Sequence, residues 1–119
     1  MKKRPALVIE PRFRIVVGRS FVFGPGKAAM LEQIQKTGSI AQAAQAMAMS
    51  YMRAWMLVKS MNRGFAKPLV NTARGGRRHG GAKLTATGSA VLQHYRKIEA
   101  QSLTASGSSQ KKLARLLSA

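Results

Sequence analysis

The side chains best placed to do chemistry in this sequence are cations. Arg74, Arg77, Arg78, His79 and Lys83 are threaded through glycines at 75, 76, 80 and 81. Just before them, Tyr51, Met52, Arg53, Met56, Lys59 and Arg63 fall within one short segment. Guanidinium and ammonium groups bind phosphate, and an arginine can also grip a guanine edge bidentately. Glycines carry no side-chain bulk and permit unusual backbone angles, so such a segment can press against a sugar–phosphate wall. The chemistry these residues point to is recognition of a polyanion.

Bond-making chemistry has little to work with. The 119 residues hold 21 Lys+Arg against 3 Asp+Glu, a formal charge of +18. The carboxylates are Glu10, Glu32 and Glu99, far apart in sequence, so an acid–base pair is not expected. There is no cysteine, which excludes disulfides, thiolate metal sites and cysteine nucleophiles. His79 and His94 lack a metal-ligand spacing. Neither an enzyme nor a cofactor is expected. The "GPGK" at 24–27 lacks the glycine spacing and the Ser/Thr of a phosphate loop, and reads as a turn into a helix.

A charge this one-sided destabilises a compact chain through self-repulsion, so a polyanionic partner is the natural explanation. No apolar run reaches the roughly 20 residues of a membrane span, and Glu10, Pro11, Arg12 and Arg14 interrupt what would otherwise resemble a signal peptide. The expectation is a soluble cytoplasmic protein without a membrane partner. A membrane-surface protein would gather its apolar residues on one strongly amphipathic cationic helix, whereas here they divide among several.

The elements that must position the cations follow from periodicity. Residues 1–11 read as a flexible basic arm. The β-branched run 12–17 predicts a short strand, broken at Gly18, and 20–23 a second apolar run. A helix follows Pro25, with Ala28, Leu31 and Ile34 on one face, Lys27 on another, and a stop at Gly38. Ser39 caps a second helix with the stripe Ile40, Ala43, Ala44 and Met47; after a turn at 47–49, Ser50 caps a third with the stripe Ala54, Leu57, Val58 and Met61. Trp55 flanks that stripe and is expected in the core. Residues 68–74 and 82–85 read as strands joined by a glycine-rich tip, and Thr85 or Thr87 as the cap of a helix over 88–103. Residues 104–119 read as a linker and a disordered tail.

This order predicts a mainly α fold with a small β-hairpin wing, a winged helix-turn-helix occupying 12–103. In such a fold the second helix of the pair enters the DNA major groove with its N-terminal residues leading, and the hairpin reaches phosphates or the neighbouring minor groove. Arg53 is the expected base reader and Met52 or Met56 the expected contact to a thymine methyl. Lys59 and Arg63 lie farther back and suit phosphate, while Ser50 can both cap and donate. Ser39 and Gln42 open the preceding helix and complete the expected interface. Tyr51 suits either groove or core. Arg74, Arg77, Arg78, His79 and Lys83 form the wing's cationic set. The alternative is a general nucleic-acid binder, nucleoid- or RNA-associated, held by charge alone.

The elements "TGSI" at 37–40, "AAQAMAMSYMRAWMLVKSMN" at 43–62 and "GGRRHGGAKLTATG" at 75–88 together resemble the DNA-binding domain of the molybdate-responsive transcriptional regulators (ModE-like), of LysR-type winged-helix character. The resemblance covers residues 12–103. It implies operator binding by a homodimer that pairs through the outer helices, and a regulator, expected to be a repressor. It places the first helix and turn at Ser39 through Met49, the recognition helix at Ser50 through Asn62 and the wing at Gly75 through Ala82. Family members continue into a molybdate-binding domain; these 119 residues are expected to act without one. A twofold dimer would set its recognition helices roughly 34 Å apart, one turn of DNA.

Overall fold

The computed structural model of the chain describes residues 7–73 and 81–118. Its first elements form a small antiparallel hairpin, β1 (Ile15–Val17) and β2 (Ser20–Phe23). Gly18 turns the chain at φ 60°, a left-handed angle that glycine adopts without a Cβ penalty. The strand starts at Ile15 rather than at Arg12, and the pairing shifts register between Ile15 and Val16. β2 sends Val22 and Phe23 into the core and leaves Ser20 and Phe21 outside.

Helix α1 (Pro25–Thr37) starts on its proline, whose fixed φ suits a first turn. It ends at Gly38, at φ 71°, whose N–H donates to the Ile34 carbonyl. The predicted stripe is buried, with Met30 joining it. Lys27, on a different face from that stripe, is buried as well: it is 5% exposed. Its Nζ donates to the Val22 carbonyl (3.0 Å) and to Ser60 Oγ (2.9 Å), and sits 4.8 Å from the centre of the Phe21 ring. Helical periodicity describes one helix against one core. Here β2 closes over the N-terminal turn of α1 from a second side, and the lysine finds polar partners in the seam.

Helices α2 (Ile40–Ala46) and α3 (Tyr51–Gly64) follow, then the second hairpin, β3 (Val70–Thr72) and β4 (Ala82–Leu84), paired Val70 to Leu84, Asn71 to Lys83 and Thr72 to Ala82. Helix α4 (Ala86–Ala105) is capped by Thr85, whose hydroxyl accepts from the Gly88 N–H. The chain then continues into α5 (Gly107–Leu116). Residues 104–116, expected as linker and disordered tail, are therefore helical for most of their length. The serines and the glycine of 104–109 read as breakers, yet they interrupt the helix only at Ser106, whose hydroxyl donates to the Ser102 carbonyl where α4 gives way to α5.

The core lies where α1, α2, α3 and α4 pack with the two hairpins. Phe23 stands edge-on to Phe65 and to Tyr95, with ring centres 6.0 and 5.1 Å away. The Tyr95 hydroxyl donates to the Phe13 carbonyl at 2.7 Å, fastening the segment before β1 onto α4. Gly88 lets the first turn of α4 lie directly on the backbone just before β3: a Cβ there would overlap the Leu69 carbonyl oxygen and stand 2.9 Å from its carbon. Arg96 on α4 forks onto Glu32 of α1 and reaches Glu99 at 2.8 Å, so two of the three carboxylates hold one arginine. Those hydrogen bonds raise the Arg96 pKa, with burial opposing them.

Candidate nucleic-acid interface

The α2–α3 pair is built by its caps and its turn. Ser39 Oγ accepts from the Gln42 N–H and Ser50 Oγ from the Arg53 N–H, each at 3.1 Å. Both serines thus satisfy a donor that a helix start leaves open. Between the helices, Met47 and Met49 donate back to carbonyls of α2, and Ala48 adopts φ 53°. Alanine in that left-handed conformation is strained by roughly 1–2 kcal/mol. The tight reversal that sets α3 against α2 depends on it.

Helix α3 faces two ways. Ala54, Val58 and Met61 are buried, with Trp55 and Leu57 packed against the core. At about 100° per residue, Met52, Met56, Lys59 and Arg63 fall within about 60° of one another on the opposite side. All four are exposed. Tyr51 and Arg53 flank this stripe, also exposed. Among the described residues the ion pairs both belong to Arg96, so no carboxylate engages Arg53, Lys59 or Arg63. The stripe is a free cationic and apolar ridge.

Asn62 ties that ridge to the second hairpin. Its Oδ1 accepts from the N–H groups of Leu69 (2.8 Å) and Val70 (3.1 Å), and its Nδ2 donates to the Val70 carbonyl (3.2 Å). The hairpin's other edge is held by the Ala82 N–H on the Gly38 carbonyl, and its base by Thr85 Oγ1 on the Pro68 carbonyl. Lys83 stands exposed on β4. Arg74, Arg77, Arg78 and His79 lie outside the described residues. The structure therefore brings together Ser50, Tyr51, Met52, Arg53, Met56, Lys59 and Arg63 on one helix, sets Ser39 and Gln42 at the start of α2, and carries Lys83 on β4, the partner of the strand that Asn62 ties to α3. Sequence reasoning placed Asn62 in the recognition helix but gave it no role. The signal was a poor helix former near a helix end, able to hydrogen-bond backbone groups of the strand that follows.

Residues 27–89 match the family model described as bacterial regulatory helix-turn-helix protein, lysR family. The chain is 43% identical over 77 residues to the molybdenum-pterin-binding protein MopB of Rhodobacter capsulatus, a span covering 65% of this chain and 28% of that protein. It is 44% identical over 71 residues to the transcriptional regulator ModE of Yersinia pestis, covering 60% and 27%. The chain thus spans less than a third of the length of these curated relatives. Among solved structures it resembles the DNA-binding domain of CbnR, crystallised as a DNA complex, with a TM-score of 0.54 at 21% identity over 76% of this chain and 95% of that one. At that identity the likeness carries the fold, a winged helix-turn-helix.

Proposed function

The chain belongs to the lysR family of bacterial regulatory helix-turn-helix proteins, and from that premise we propose that it binds duplex DNA as a transcriptional regulator, α3 leading into the major groove. One observation carries the proposal: the outward stripe of α3 presents Met52, Met56, Lys59 and Arg63, exposed and without carboxylate partners among the described residues. In this reading Arg53 contacts a base and Lys59 and Arg63 meet phosphate, with Ser50, Ser39 and Gln42 at the helix starts that face the backbone. Arg74, Arg77, Arg78, His79 and Lys83 supply the wing's sequence-independent grip.

The working unit is a homodimer. Beyond Tyr95 no residue of α4 is buried, α5 buries none, and Ile98, Leu113, Leu116 and Leu117 are exposed. Large apolar side chains in such a row suit pairing with a second copy. Occupying an operator makes repression the expected outcome, in the cytoplasm where the DNA is. No helix of the described residues is long and apolar enough to cross a membrane. Two relatives are named for molybdenum or for regulation; the proposal places no molybdate site in these residues, and a melting shift on adding molybdate to the purified chain would contradict it.

The test is a gel-shift competition on duplexes selected from a random library. Selected duplex should compete at least a hundredfold better than its scrambled counterpart, since specific binding typically exceeds non-specific by 10³ or more. Equal competition would favour the general nucleic-acid binder, which the net charge alone would also serve.

A further inference from the structure

The leading half of the α3 stripe is apolar, on the same helix face as two free cations. Met52 is 66% exposed, Met56 54% and the flanking Tyr51 56%. The trailing half, Lys59 and Arg63, is charged. Large apolar side chains clustered on a binding face need an apolar partner. A duplex offers few: at the base edges of the major groove the apolar group is the 5-methyl of thymine. Met52 and Met56 are four residues apart, about 6 Å along the helix, close to two base-pair steps of about 3.4 Å. A second protein copy is a poor occupant of the same stripe, because a self-complementary contact would set Lys59 and Arg63 against like charges.

We propose that Met52 and Met56 determine specificity by packing on pyrimidine 5-methyl groups about two steps apart in each half-site. The inference rests on the DNA-binding reading above. Methionine suits such a contact, because its thioether is flexible and polarisable and adapts to a methyl without a fixed rotamer. The recognised chemistry is the methyl group, not the thymine. Cytosine methylated at C5 presents the same group at the same groove edge, so it must substitute in part for thymine at those two positions.

The experiment takes the best duplex from a random-library selection and replaces each thymine in turn by deoxyuridine, which lacks the methyl. Affinity should fall about fourfold at each of two thymines per half-site, as expected for one buried methyl, and stay unchanged elsewhere. Replacing either T·A pair by C·G and then methylating the cytosine should recover about the same factor. Met52→Gln and Met56→Gln, each at an exposed position, should each abolish the thymine–deoxyuridine difference at one position while leaving the salt dependence of binding unaltered; Met52→Leu should keep it. Tight binding with no deoxyuridine effect, or a deoxyuridine effect that survives both glutamine variants, overturns the proposal and leaves the DNA-binding reading intact. Failure to enrich any duplex sinks that reading itself.

Discussion

Replacing Asn62 with alanine should uncouple the recognition helix from the second hairpin. The side chain makes three hydrogen bonds to the backbone of residues 69 and 70, where Leu69 and Val70 are both buried. Each bond contributes about 1 kcal/mol net, and the two N–H groups left behind have no ready route to water. The expected destabilisation is about 2–3 kcal/mol, a fall in Tm of roughly 10 °C for a domain of this size. Asn62→Asp separates the terms. It keeps the acceptor for both N–H groups, which are the shorter bonds, but sets a second carboxylate oxygen against the Val70 carbonyl, so its stability should fall between those of the parent and the alanine variant. Melts followed by circular dichroism measure both variants, and DNA affinity should fall in the same order. An alanine variant within about 0.5 kcal/mol of the parent, or an aspartate variant weaker than the alanine one, would refute the claim that this amide locks the two elements together.

Other consequences follow from single residues. Ala48→Gly should stabilise the fold by about 0.5–1 kcal/mol in a chemical melt, by removing left-handed strain from the α2–α3 turn. The Tyr95 pKa is raised, chiefly by burial, with Glu99 adding to the shift and Arg96 and Arg12 opposing it. The folded state therefore holds that proton more tightly than the unfolded chain, and stability should decline as pH rises above tyrosine's ordinary value. Tyr95→Phe, losing about 1 kcal/mol with the bond to Phe13, should melt with a shallower alkaline decline than its parent. Arg77→Ala with Arg78→Ala should weaken binding to all duplexes and lower the salt slope by about 2, whereas Arg53→Ala should cost about 1–3 kcal/mol of discrimination at one base pair.

Much of this architecture was legible in the sequence because its punctuation is local. Ser39, Ser50 and Thr85 act as caps, Gly38 as a stop and Pro25 as a start, and each depends on neighbours within four residues. The stripe of Ala54, Val58 and Met61 likewise declares one buried face. The rest needed tertiary information. Lys27 is buried because β2 and Ser60 of α3 converge on it, and neither is visible from the periodicity of α1. Residues 104–109 carry weak helix formers, but the interruption is confined to Ser106, and the good helix formers of 110–116 carry α5 onward. Asn62 acts on backbone groups seven and eight residues away, and no spacing in α3 announces that.

The most direct test of the central claim uses the absence of cysteine from the sequence. Lys59→Cys on α3 and Lys97→Cys on α4 each remove one exposed cation, so the two variants carry equal charge. Each is labelled with a short photoactivated crosslinker and irradiated on a selected duplex. The account predicts covalent protein–DNA adducts from position 59 and none from position 97. Adducts from α4 in the absence of any from α3 would contradict it.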